Sequence, residues 1–442
     1  MRQDAQGLPI TTDSPIAERH FADLIAGYLA YRADLPQRLA RLLEADPAFG
    51  LAHCLKGYLI MHAFRAAARP AAEEAATLAE RHMAAATPRE RAHVAALRHW
   101  IAGDLGRAVG VWDHILTEHP RDVIAFRLAH FINFWRGRPD LMLASVEQVS
   151  PHWDEDVPGY VSLLGCRCFA AEECGLYTPA EAAGREAIER DPTDLWAAHG
   201  VAHVMEMQGR RSEGLAWLAS LAPNWEGATN LMHHLWWHAA MFHMERREFE
   251  HVVELYDRRF RDLSSPLTQA MPDLYIDMQN AASILFRLER HGIEVGDRWT
   301  ELADKAEARV GDTVSGFTVP HWMMALAATG REQAAARLLG AARQAPDPAV
   351  RTLAAPICEA VLLHRRGRCS EAVAAMRPAL GEMYRLGGSH AQQDVFEQLF
   401  LDAALKADLQ ADVSLLLERV AGRHPVPPQR RVGYAEAASK WH

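Results

Sequence analysis

Apolar positions return every three or four residues along nearly the whole chain, and strand-like alternation is rare. Alanine, leucine, glutamate and arginine dominate these stretches, which favours helix over other states. The pattern predicts helices of about 12 to 16 residues divided by short breaks containing Gly-Arg, Gly-Asp or Asp-Pro. Turns inside helix pairs are expected near Gly106, Gly137, Gly175, Gly209, Gly292, Gly330 and Gly367, several of them 31 to 39 residues apart. Prolines mark the junctions between pairs, at TPRE from Thr87, HPRD from His119 and DPTD from Asp191. From Pro120 to Pro192 is 72 residues, or two steps of 36, enough for two pairs of short helices.

A helix pair of this size cannot bury its apolar face alone, and stacking on its neighbours makes the core continuous. The clearest unit runs from Thr87 to Pro120, and another starts at Asp191. A small residue before a large one, a Gly-Arg turn and a Glu-Ala start resemble the tetratricopeptide repeat, and the resemblance gains weight by recurring. The expected fold is all-α: a tetratricopeptide-like helical-repeat solenoid, a curved or partly closed superhelix. A single domain is expected over 14–420, with irregular insertions near 261–273 and 310–320. Residues 1–13 read as a flexible N-terminus and 421–442 as a C-terminal tail.

With 442 residues and 49% hydrophobic content, the chain can bury a large core. It carries 47 basic and 57 acidic residues, a formal charge of −10, with no concentrated basic block, so nucleic acid is not an expected partner. The six cysteines form no CxxC, which suits a reducing cytoplasm. The first residues lack the basic and apolar segments of a secretory signal, and apolar windows are too short to predict a membrane span.

Candidate chemistry centres on two predicted helices. WAAHGVAHVMEMQGR (196–210) places His199 and His203 four apart, with Glu206 three further on. MHHLWWHAAMFHME (232–245) places His234 and His238 four apart, beside Trp236 and Trp237. Spacings of three and four keep side chains on one helical face. If these are first helices of neighbouring pairs, the four imidazoles His199, His203, His234 and His238 converge, and a divalent metal such as zinc would accept them. The motif is not HExxH, so Glu206 would serve as a base or an orienting group. Ordinary packing of polar groups between helices explains the same spacing. His130, which follows Arg127 in AFRLAHFINFW, Asp277 in DLYIDMQN, and His390 and Asp394 in GGSHAQQDVF also fall on first helices, and Trp225 could frame an organic ligand. Gly387 and Gly388 allow a tight turn before the last of these, and Ser389 could cap it.

The runs HGVAHVMEMQGR, HHLWWHAAMFHME and GGSHAQQDVF resemble the tetratricopeptide repeat protein 38 family, over roughly Ser14 to Val420. That resemblance implies a helical-repeat architecture and no particular reaction. Two functions stay open. One is a cytoplasmic helical-repeat binding protein whose concave groove takes a peptide, a protein segment or a small polar ligand on His199, His203, Glu206, Trp225, His234, Trp237, His238, His130, Asp277 and His390. The other is a metal-dependent or acid-base enzyme, such as a hydrolase, using Glu206, His203, His238, Asp277, His390 or Asp394. A homo-oligomer face is a third use of the same surface. No GxSxG, GxGxxG or P-loop occurs to support a serine nucleophile or nucleotide binding.

Overall fold

A computed structural model describes residues 1–441. The fold is all-α: the described residues form 24 α-helices, seven short 3-10 or π-helical segments and one two-stranded hairpin. The chain divides into two compact units, Met1–Val201 with Pro223–Thr229, and Ala202–Ala222 with Asn230–His442, where a single domain was expected.

The first unit pairs α1 (Pro15–Leu29) with α2 (Leu35–Ala45), α3 (Gly50–Met61) with α4 (Arg69–Arg81), and α5 (Pro88–Ile101) with α6 (Leu105–Glu118). It continues with α7 (Val123–Trp135) and α8 (Pro139–Val149), then α9 (Tyr160–Glu173) and α10 (Tyr177–Arg190). Residues of α11 (Leu195–Met207) belong to the first unit up to Val201 and to the second from Ala202. The second unit adds α12 (Arg211–Leu221), α13 (Leu231–Glu245), α14 (Phe249–Leu255), the short α15 (Pro266–Ala270), α16 (Tyr275–Arg290) and α17 (Arg298–Ala308). It ends with α18 (Thr318–Ala328), α19 (Glu332–Arg343), α20 (Ala355–Arg365), α21 (Cys369–Met376), α22 (His390–Lys406), α23 (Gln410–Arg423) and α24 (Ala435–Trp441).

The two helices of a pair have different jobs. In α7, 11 of 13 residues are buried, whereas α10 buries only Ala180, Ala183, Gly184 and Ala187. First helices form an inner layer, and second helices cover it with one buried face, small-residue in α10 and larger in α6, which buries Trp112, Ile115 and Leu116. In the second unit the inner helices close on one another: α16 meets α18, α18 meets α20, and α22 meets both α20 and α16.

Local chemistry fixes the joints. Six of the seven expected turn glycines, from Gly137 to Gly367, take a φ between +63° and +77°, a conformation that disfavours a side chain. Gly106 instead lies in the first turn of α6, and Gly103 (φ +83°) makes that corner. Thr87 and Glu90 form a reciprocal capping box at α5, and Ser389 forms one with Gln392 at α22.

Both chain ends are more structured than expected. Residues 1–13, expected to be flexible, form an antiparallel pair, β1 (Arg2–Gln3) and β2 (Pro9–Ile10). Arg89 Nη2 donates to Pro9 O at 2.8 Å, and the Thr11 hydroxyl donates to Glu90 at 2.7 Å. The 421–442 segment, expected as a tail, carries α24 and buries Tyr434. Their polar composition hides these anchors, because each is a polar contact with a distant residue.

A Cβ on Gly214 of α12 would overlap the Phe242 ring of α13. Gly214→Ala is expected to destabilise the protein by about 1–3 kcal/mol, read from the urea unfolding midpoint.

Candidate functional site

Three imidazoles of the second unit meet where α11 and α13 present their inner faces. His203, His234 and His238 are 0%, 3% and 0% exposed. The His203 and His238 rings are 4.4 Å apart at 65°, and those of His234 and His238 are 4.8 Å apart at 72°. Each offers a ring nitrogen within 4.8 Å of the others. The i, i+4 step on α13 brings His234 and His238 together, and Trp237 stacks on His234 at 5.0 Å and 9°. Trp237 is itself held, its Nε1 donating to Ser283 Oγ at 3.0 Å.

Two of the rings are oriented through Nδ1. His238 Nδ1 lies 2.8 Å from Glu206 Oε2, and His234 Nδ1 lies 2.9 Å from Asn280 Oδ1. An amide oxygen only accepts, so His234 carries its proton on Nδ1 and its lone pair on Nε2. His238 takes the same form whenever Glu206 is ionised. A carboxylate or carbonyl behind a histidine is the arrangement that orients metal ligands.

Burial sets the charge state. Loss of water pushes the His203 and His234 imidazoles well below their usual range and His238 down to about 3, with neighbouring imidazoles adding to the shift at the first two. Burial lifts the Glu206 carboxyl to about 7, opposed by Arg287 and Arg431 and reinforced by Asp394. At neutral pH the three rings are neutral, the form that binds metal, and Glu206 sits at its own midpoint.

Glu206 also lines a cleft of about 490 Å³, open mouth included, together with Arg211, Glu245, Asp394, His424 and Arg431. Asp394 is the hub of this wall. It accepts from Arg431 Nη2 at 2.6 Å, Tyr434 Oη at 2.5 Å, Gln398 Nε2 at 2.7 Å and Arg287 Nη2 at 3.1 Å. Arg431 and Arg287 hold its carboxyl far below the usual carboxylate range despite burial. Nearby Glu397 accepts from Arg419 at 3.0 Å and Arg423 at 2.7 Å. Asp394, Glu397 and His424 are close enough to share a cation, but guanidinium groups already match both carboxylates.

Of the residues expected to carry chemistry, the second unit brings together His203, Glu206, His234, Trp237 and His238. His390, at the start of α22, is within electrostatic reach of His203. Two other expected residues have different partners. His233 Nδ1 stands 3.2 Å from both Asp277 oxygens, and Asn230 Nδ2 donates to Asp277 at 2.5 Å. Asp394 is held in ion pairs by Arg287 and Arg431. His130, His199 and Trp225 belong to the first unit, where His199 packs against Phe169 at 5.0 Å and Trp196 at 4.8 Å. Trp236 lies under the guanidinium of Arg259. Arg287 and Arg431 were not anticipated as site residues. Arg287 lies seven residues beyond Asn280 on the face of α16 and was open to that reading; Arg431 lies in a segment with no periodicity.

No protein-family model matches the chain. Among solved structures, the chain is similar to one described as "Structure of Naa15/Naa10 bound to HypK-THB", at 11% identity and a TM-score of 0.26. That match covers 94% of this chain and 64% of the other, so the chain spans less than two thirds of that relative's length. No helix among the described residues is long and apolar enough to cross a membrane.

Asp394→Ala leaves Arg287 and Arg431 without their anion, and a loss of about 3–5 kcal/mol is expected in urea unfolding. The pH dependence has two opposing parts. The depressed imidazoles contribute stability that is complete above about pH 6.5 and is lost as pH falls through their folded values. The raised Glu206 contributes stability that is complete below about pH 4.5 and is lost as pH rises through about 7. Three protons outweigh one, so stability should rise between pH 4.5 and 6.5, and Glu206→Gln should steepen that rise.

Proposed function

We propose that the protein is a helical-repeat binding protein, akin to the tetratricopeptide repeat protein 38 family, whose second unit seats a divalent metal of the zinc class on His203, His234 and His238. A small polar ligand or the end of a peptide reaches this centre along the cleft that Glu206 lines. The observation that carries the reading is the Glu206–His238 contact at 2.8 Å, because it joins the imidazole group to the cleft wall through one side chain. The donor set fits such an ion: three neutral imidazoles, two of them with Nδ1 already anchored, in a water-poor setting. A bound ion of this class would polarise a ligand oxygen or a water. Glu206 would hold His238 in the tautomer that presents Nε2, and Asn280 would do the same for His234.

A second reading has its own support. A carboxyl lifted to about 7 at the edge of a cleft can take and return a proton near neutral pH, as a general acid-base group requires. In that reading the protein is a metal-dependent or acid-base enzyme, with hydrolysis the simplest reaction.

Untagged protein is expected to retain zinc near one equivalent by elemental analysis, and His203→Ala and His238→Ala should each abolish retention. A folded wild-type protein that binds no added zinc, cobalt or manganese would refute the centre. Zinc affinity should fall as pH drops through 7, and Glu206→Gln should remove that inflection, measured by competition with a chelating dye.

A further inference from the structure

The first unit contains a cation with no matching anion. Arg127, on α7, is 5% exposed. Its Nη1 donates to Cys166 Sγ at 2.6 Å and its Nη2 to Tyr31 Oη at 2.6 Å, both neutral partners, and its Nε has no partner. Burial pushes the Cys166 thiol up to about 11, so it stays protonated at neutral pH and cannot balance the guanidinium. Asp194 is within electrostatic reach, but its carboxylate accepts from Ala197 N at 2.7 Å and forms no ion pair with Arg127. A buried charge left in this state is costly unless something pairs with it.

Further polar groups around Arg127 are also unsatisfied. His130, one turn along α7 and 2% exposed, has neither ring nitrogen hydrogen-bonded, and the buried Trp196 Nε1 has no partner. Trp196 joins them: its ring is 5.7 Å from the Arg127 guanidinium, 6.0 Å from His130 and 5.9 Å from the stacked ring of Tyr31. Tyr31 reaches this position with a φ of +53°, an uncommon conformation for a bulky side chain. Arg127 Nε, Trp196 Nε1 and one His130 nitrogen are donors in want of an acceptor.

Beside them is an apolar cavity. It has a volume of about 300 Å³, open mouth included, and is lined by Ile25, Tyr28, Leu55, His62, Ile124 and Leu128 among others. Ile124 lies one turn before Arg127 on α7, and Tyr28 and His62, which line the same cavity, lie within electrostatic reach of the guanidinium.

We infer that the first unit binds a small amphiphilic carboxylate, its anionic head on Arg127, Trp196 and His130 and its apolar body in the cavity bounded by Ile124 and Leu128. The inference does not depend on the metal centre proposed for the second unit.

The test uses the full chain, with octanoate as probe and 1-octanol as its uncharged counterpart, by calorimetric titration and thermal melting. Octanoate is expected to bind and raise the melting temperature. Octanol, and octanoate with Arg127→Met, should bind at least about tenfold more weakly, the scale of one charge-assisted hydrogen bond. Leu128→Trp keeps the charge and fills the cavity, and it should also abolish binding; it serves as the deciding variant if Arg127→Met does not fold. Equal binding of octanol and octanoate, or full binding by Leu128→Trp, would overturn the proposal. So would failure of octanoate to bind, or a Raman spectrum in which the Cys166 S–H stretch is missing at pH 7, because the charge would then already be balanced within the protein.

Discussion

The inner helices are covered on nearly every side, so a polar side chain on them cannot turn to water. The structure depends on that constraint. In α22, 13 of 17 residues are buried, including Asp394, Glu397 and three glutamine side chains. A polar group in such a place must be neutral, be paired, or await a partner from outside. All three outcomes occur. The imidazoles of the second unit are kept neutral by loss of water. Asp394 and Glu397 are ringed by arginines. Arg127 in the first unit is matched by neither means.

These outcomes separate scaffold from candidate chemistry. Asp394 is buried and acidic, yet its bonds to Arg287, Arg431, Tyr434 and Gln398 make it a structural cross-link. Glu206 is 14% exposed on its side chain and directly bonded only to an imidazole, which leaves its proton mobile near neutral pH. Two carboxylates that line one cleft thus have opposite characters, set by whether a guanidinium touches them.

Much of the fold was legible in the sequence because it is written in local terms. The 3.6-residue period marks the helices, glycines mark most turns within pairs, and Thr87 and Ser389 announce two capping boxes. The His203–His238 group was legible for the same reason, since spacing within a helix fixes a face and repeat order makes two faces neighbours. Arg287 was harder to see, because only the closing of the inner helices shows what α16 faces. Arg431 and Tyr434 were not legible at all: they lie outside the periodic helices, and their meaning comes from a carboxylate some 40 residues earlier. The contacts of Asp277 with His233 and Asn230 were likewise hidden, because they depend on how α13 and α16 meet.

The contact of α22 with α16 also bears on how the second unit comes into being. An open array of repeats can grow one pair at a time, each new pair resting on the last. Here Arg287 and Asp394 meet across 107 residues of chain, so the bond that closes the inner layer forms only after most of the intervening pairs are present. The loop-closure entropy of that long segment opposes the step until the contact itself repays it. The second unit therefore gains stability in one late, non-local event, and a chain released before α22 has emerged would carry α16 with its polar face still open.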